Sequence, residues 1–384
     1  MKIFSIKSKC FFFFFLIVSC QIQRKEIPKS ISIAETIVIP EQLNIGYVEI
    51  IDSLGYTILE EGDDSFLGYI SKLRVYQNKI YVLDARYAKS LFIYAKNGLH
   101  IATIGSNKGR GPLDFVSVTN FEIDYINNQL LVMDNWGSKF MIYDLEGTFI
   151  KRIESELYVT NAVLLPNDFI MHAKSSFESK IPNQGSSCLL ITDMNKKIVK
   201  EGFIYDDNKH INISTQNFIN SQFGGKISYS PKFRDTIYYV SFDSIVPRYA
   251  IDYGKNRVIS QNQISNLSSP FELFDLIKAG NLCYMGNHVE TNNYLYLMLG
   301  YILCPTHIFY NKKTNNTIAL SHKADIGEFE DELFNILCSD EEGFFYGSFN
   351  FAGLMELVKL FPELQEIDQG RDLNPILFRY KLKI

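Results

Sequence analysis

The sequence predicts an all-β fold, a six-bladed β-propeller of four-stranded antiparallel blades over residues 31–384. Two observations carry that prediction. A long phrase is written twice, as IYVLDARYAKSLFIYAKNG at 80–98 and as LLVMDNWGSKFMIYDLEG at 130–147. Its second half then recurs along the whole chain, as LFIYAKNG (91–98), FMIYDLEG (140–147), LLITDMNK (189–196), TIYYVSFD (236–243), HIFYNKKT (307–314) and ILFRYKLK (376–383). The first four copies begin 49, 49 and 47 residues apart, which is the spacing of propeller blades.

Within one repeat the elements follow in order. Ile80-Tyr81-Val82-Leu83 is a short apolar run of strand formers, and Leu91-Phe92-Ile93-Tyr94 is a second, closed by the hairpin signal Asn97-Gly98. Leu99 to Ile104 makes a third strand, and Tyr69 to Tyr76 supplies one before them. Six phrases therefore mean six blades. The wider intervals before the fifth and sixth copies leave room for insertions near 254–280 and 352–374. The second of these carries helical spacing at Leu354, Leu357, Leu360 and Leu364. The last phrase ends the chain, so the sixth blade lacks an outer strand. The apolar stretch Ser32 to Pro40 is expected to supply it, closing the ring and removing a sheet edge.

Residues 1–19 read as a leader. Lys2, Lys7 and Lys9 precede an apolar run from Cys10 to Val18 that is too short for a helix to span a bilayer, which takes ~20 residues. Ile17-Val18-Ser19-Cys20 resembles a bacterial lipobox, in which Cys20 becomes the lipid-modified first residue. Residues 20–30 are then a tether. Gln21 does not suggest retention at an inner membrane, so the outer membrane is expected, with its periplasmic and surface sides both open. The formal charge is −5, and removing the three leader lysines leaves −8. With no basic tract, nucleic acid is not an expected partner. Cys188, Cys283, Cys304 and Cys338 are scattered without a CxxC, which argues against a zinc site and for small buried apolar residues. Asp52, Asp235 and Asp243 each open an Asp-Ser/Thr-apolar triplet, similar to the O-glycosylation signal of Bacteroidetes.

Several phrases occur in a characteristic order: FLGYISKL (66–73), IYVLD (80–84), GSNKGRGPLDF (105–115), DTIYYV (235–240), PRYAIDYG (247–254) and DLNPILFRYKLK (372–383). On these the chain resembles the six-bladed β-propeller lipoproteins of Bacteroidetes, relatives of the NHL-type propellers. The resemblance implies fold and cellular address rather than an activity.

In a propeller the loops joining second to third strands, and each blade to the next, emerge on one face around the central channel. Asp84-Ala85-Arg86-Tyr87 and Asp134-Asn135-Trp136-Gly137 are equivalent loops of that kind, and Lys232-Phe233-Arg234 is the fourth blade's. The inter-blade loop Gly105 to Asp114 adds Lys108 and Arg110. Arg86, Arg110, Trp136 and Arg234 are thus the candidate binding residues. Arginine offers planar bidentate donors and tryptophan a stacking surface, a combination suited to a glycan, a small acidic ligand or an envelope protein. Asp84 and Asp134 are expected to cap turns. Gly109, Gly111 and Pro112 shape the backbone, since no Gly-Lys-Ser/Thr follows to make a phosphate loop.

Enzyme signatures are sparse. The six histidines are isolated, with no HExxH, and no Gly-x-Ser-x-Gly elbow occurs. The primary expectation is a lipid-anchored binding or scaffolding module with no cofactor. The alternative is a metal-dependent hydrolase or lyase with one ligand per blade, for which His172 and His288 are candidates. A structural subunit of an envelope assembly is the third.

Overall fold

The structure, a computed structural model, describes residues 25–26, 34–41, 50–62, 66–105, 109, 111, 113–136, 138–155, 161–173, 187–204, 219–222, 226–231, 233–301, 304–321, 336–349, 358 and 374–383. The predicted leader, Cys20 and the leucines at 354, 357, 360 and 364 lie outside the described residues. Three short strands come first: β1 (Lys25–Glu26), β2 (Glu35–Val38) and β3 (Ile51–Thr57). Blade one is β4 (Lys72–Tyr76), β5 (Lys79–Asp84), β6 (Ser90–Ala95) and β7 (His100–Ile104). Blade two is β8 (Asn120–Asp124), β9 (Gln129–Asp134), β10 (Lys139–Asp144) and β11 (Phe149–Glu154). Blade three is β12 (Asn161–Leu165), β13 (Phe169–Ala173), β14 (Ser187–Asp193) and β15 (Ile198–Ile204). Blade four is β16 (Ile219–Gln222), β17 (Lys226–Tyr229), β18 (Thr236–Val240) and β19 (Ile245–Asp252). Helices α1 (Gln261–Asn266) and α2 (Pro270–Lys278) follow, inside the first of the two anticipated insertions. Blade five is β20 (Tyr284–Glu290), β21 (Tyr294–Tyr301), β22 (Cys304–Asn311) and β23 (Thr317–Ser321). Blade six takes β24 (Cys338–Ser339), β25 (Phe345–Phe349) and β26 (Ile376–Leu382) from the C-terminus.

All six recurring phrases fall on third strands, β6, β10, β14, β18, β22 and β26. These strands sit in mid-blade, covered on both faces, and so read as continuous apolar runs. Each seam between neighbouring blades has its own apolar cluster. Tyr81 and Phe121 meet between blades one and two, and Leu131 and Ile170 between two and three. Ile191 and Tyr229 belong to the next seam, Tyr249 and Leu297 to the fourth, Phe309 and Phe378 to the fifth, and Leu377 and Phe92 to the sixth. Six filled seams make a closed ring, since an open one would leave two blade faces wet. Burying one such side chain contributes roughly 1.5–3 kcal/mol.

An N-terminal strand does close the ring, but it is not the one expected. β3 pairs antiparallel with β26 (Leu377 opposite Thr57, Tyr380 opposite Leu54) and is the sixth blade's outer strand. Within Ser32 to Pro40, β2 instead adds a fifth strand to blade four, parallel to β19. The reason lies in connection length. β3 ends shortly before β4, so it reaches blade one by a link like those between the other blades, whereas β2 would need a much longer one. Apolarity alone misled, because Ile37 and Ile39 are buried at the seam of blades four and five. The closing strand also explains a glycine. Gly98 has φ +92°, and a Cβ there would stand 2.0 Å from the Ile58 carbonyl oxygen at the end of β3. The Asn97-Gly98 turn is therefore fixed both by its own conformation and by the strand that shuts the ring.

Candidate functional site

Two buried carboxylates build the upper face, where second-to-third-strand loops and inter-blade loops emerge. Asp84 ends β5. Its Oδ1 accepts from the backbone N–H of Arg86 (2.9 Å) and Tyr87 (2.7 Å), and its Oδ2 from Gly68 (3.0 Å) and Tyr69 (3.1 Å). Asp134 ends β9 and accepts from Val116 (2.8 Å) and Ser117 (3.3 Å). Asp84 thus caps its own turn, as expected, and ties it to the loop entering the same blade, whereas these bonds of Asp134 run to its entry loop. Ser71 Oγ and Thr119 Oγ1 repeat the equivalence, accepting from the N–H of Ala85 (2.9 Å) and Asn135 (3.4 Å). Buried and half-buried side chains thereby brace the loops.

Large apolar side chains stand exposed on these braced loops. Phe66 (65 %), Tyr69 (42 %), Tyr87 (61 %) and Trp136 (67 %) all belong to blades one and two or their entry loops. The Arg86 guanidinium lies 5.8 Å from the Tyr69 ring centre and 5.3 Å from that of Tyr87, holding both rings by cation–π contact. Phe271, at 74 % exposure on α2, projects from the insertion on the same face. Of the four candidate residues, Arg86, Trp136 and Arg234 are exposed on second-to-third-strand loops of blades one, two and four. They share one face, and Arg86 packs on Tyr69 and Tyr87 of its own blade. Arg110 and Lys108 lie outside the described residues. The turn beside them is shaped as anticipated: Gly111 N–H donates to Asp114 Oδ2 (2.9 Å), and a Cβ at Gly109 or Gly111 would stand 2.5 or 2.6 Å from that oxygen.

Below the rim lies a cluster that the sequence reading missed. Lys72 and Arg74 on β4 face Glu122 on β8, all three fully buried. Arg74 donates from Nε and Nη2 to the two Glu122 oxygens (3.3 and 3.1 Å), Lys72 donates to Glu122 and to Asn120 Oδ1 (3.0 Å), and Asn161 Nδ2 on β12 lies 3.3 Å from the same carboxylate. Burial pushes the Lys72 pKa down to about 7 against the pull of Glu122. Burial also opposes the Glu122 charge, yet Arg74 and Lys72 hold its carboxyl below the usual range. The signal was present as charges two apart in an innermost strand, KLRVY, because residues i and i+2 share a strand face.

The histidines are enclosed. His288 Nε2 lies 2.7 Å from Ser228 Oγ and its Nδ1 3.1 Å from both Ser230 Oγ and the Tyr284 hydroxyl; burial lowers its pKa to about 4. His172 Nε2 meets Thr192 Oγ1 at 2.8 Å, the ring stacks near Phe140, and burial lowers its pKa to about 3. His307 Nδ1 meets the Tyr296 hydroxyl at 2.9 Å. Among the described residues no three His, Cys, Asp or Glu side chains converge as a metal site would require. Cys188, Cys283 and Cys338 are buried, as expected; the Cys304 side chain lies outside the described residues.

Among solved structures, the chain is similar to a putative exported protein of Bacteroides fragilis, with 18 % identity, a TM-score of 0.74, and coverage of 91 % of this chain and 100 % of that one. A member of the DUF4221 family from Bacteroides vulgatus is similar at 13 % identity and a TM-score of 0.54, covering 87 % and 98 %. At such identities these likenesses concern the fold. No curated protein matches. A family model described as a domain of unknown function, DUF4934, matches residues 28–381, nearly the whole propeller, and the chain belongs to that family.

Proposed function

We propose that this protein is an exported, lipid-anchored propeller of the outer membrane, akin to the NHL-like lipoprotein propellers, that binds a glycan, a small acidic ligand or a partner protein through its upper face. The observation that carries the binding role is the group of exposed aromatic side chains Phe66, Tyr69, Tyr87 and Trp136, held on carboxylate-braced loops with Arg86 between two of them. Soluble proteins seldom leave several large apolar side chains exposed together without a use for them. Flat rings stack on the apolar faces of sugars, and arginine adds charge-assisted bonds to carboxylates. The leader ending at Cys20 supports the address, as does the fold likeness to a chain described as exported.

The test uses the protein's sole tryptophan, which stands on the rim itself. Titrating the mature protein with panels of neutral and uronate oligosaccharides should change Trp136 fluorescence for at least one class. Arg86→Ala should weaken that response about tenfold, a loss of roughly 1.4 kcal/mol. A partner protein instead of a sugar would appear as a complex recovered from envelopes with wild type and lost with Trp136→Ala. If neither panel responds and both proteins recover the same complexes, the upper face is not the binding surface.

A further inference from the structure

The path of the N-terminal strands points to how the propeller sits on its membrane. β1 pairs parallel with β15, the outer strand of blade three, with Lys25 opposite Lys200. β2 continues around the perimeter on blade four. Ion pairing between Glu35 and Arg248 (2.9 Å), the N–H of Ile39 on the Asp252 carbonyl (2.7 Å) and burial of Ile37 and Ile39 secure it there. β3 then closes blade six. The chain thus joins the ring at the outer edge of blade three. A fourth strand runs from the lower face to the upper, and β1 runs parallel to one, so the chain also arrives from below.

We infer that the lower outer edge of blade three faces the headgroup layer of the bilayer, with blade six farthest away and the aromatic rim turned from the lipid. This rests on the lipid-anchor reading of Cys20. Only four residues lie between Cys20 and Lys25, and whatever their conformation those five residue steps reach no more than about 17 Å. A body of this length has a radius of gyration of about 21 Å and is roughly 50 Å across. The tether is therefore too short to bring any other edge to the lipid. The surface at that edge carries charged groups beside the exposed Phe149 and Ile150 of β11, a mixture suited to a headgroup layer. Lys197 is exposed in the turn before β15, and Lys151 pairs with Asp168 at 3.5 Å in neighbouring lower segments. The fit is to a mixed-charge, hydrated layer.

Full-length lipidated protein in phosphatidylcholine–phosphatidylethanolamine vesicles carrying a lipid-borne quencher tests this directly. Reporters are attached to Lys197→Cys on blade three and to Glu342→Cys in the exposed lower turn of blade six, against the labelling of the parent protein, and Trp136 serves on the upper face. Quenching at least threefold stronger at Lys197 than at Glu342, with Trp136 little affected, is the expected result. Inserting twenty Gly/Ser residues between Cys20 and Lys25 should erase the difference. Equal quenching at the two reporters, or strong quenching of Trp136, overturns the orientation while leaving the anchor intact. A mature protein whose mass shows no lipid on Cys20 overturns both, and does so before any quenching is measured.

Discussion

The inner wall of the ring has two unlike halves. Toward blades one to three it is ionic: Lys72, Arg74 and Glu122 form a buried network, with Asn120 and Asn161 on its edges. At the seam of blades four and five an uncharged group, Ser228, Ser230, Tyr284 and His288, is linked in hydrogen bonds, with the Glu290–Lys312 pair farther along β20. Both halves satisfy polar groups in a dry place, yet by different means. A buried ion network is worth little against an apolar replacement but a great deal against the loss of one member, whereas a neutral network loses its bonds one at a time. The ionic half should therefore fail abruptly and the neutral half by degrees.

Glu122→Gln tests the abrupt side and should have the largest effect. It leaves Arg74 and Lys72 facing an amide, an uncompensated buried charge of the kind that costs ~3–5 kcal/mol. Denaturant melts of the variant should show a loss of that order with no change in slope. A loss below about 1 kcal/mol would mean that the two halves are energetically alike.

The halves also differ in where pH acts. His288 is neutral when folded, its pKa lowered from 6.5 to about 4 by burial, with the Glu290 carboxylate pulling it up and Arg74 pushing it down. The unfolded chain takes up the proton first, so stability is complete above pH 6.5, falls as pH drops toward 4, and levels below. His172 adds to the same slope from blade three, with its pKa lowered to about 3. His288→Gln should flatten part of that decline in urea melts collected between pH 4 and 7.

Lys72 has the same sign at higher pH. Its pKa is lowered from 10.5 to about 7 by burial, opposed by Glu122 and reinforced by Arg74. Between those values the unfolded chain binds the extra proton, so this group makes stability rise with pH from about 7 toward 10.5. Lys72→Met should remove that rise. If the variant keeps the slope, Lys72 is charged in the folded protein and the ionic wall differs from the one described.

Much of this architecture was legible in the sequence because propeller blades repeat and mid-blade strands read as unbroken apolar runs. All six third strands were visible for that reason, as was the hairpin closed by Asn97-Gly98. The closing strand was missed because IDSLGYT is mostly polar and half-exposed, while ETIVIP is apolar for a different reason, packing against blade five. The channel network was missed because its members lie far apart in sequence and meet only when strands β4 and β8 line one axis. Rim residues were legible as loop positions. Their exposure, and the pairing of Arg86 with Tyr69 and Tyr87, come from the tertiary path of the entry loop.

The rim above both walls sets the zero of this comparison. Trp136 stands exposed on a loop whose Asn135 N–H is held by Thr119 Oγ1, while Asp134 at its base ties β9 to the entry loop. Trp136→Ala should therefore move stability by no more than about 0.5 kcal/mol, the ordinary range for exposed positions, while abolishing the stacking surface. Arg86→Ala should cost slightly more, since two exposed cation–π contacts at roughly 0.5–1 kcal/mol each are lost. Thermal melts of the two variants beside Glu122→Gln would rank rim below wall. If Trp136→Ala instead destabilises as much as a wall residue, the ring is part of the loop's support, and the exposed aromatic group serves the fold rather than a ligand.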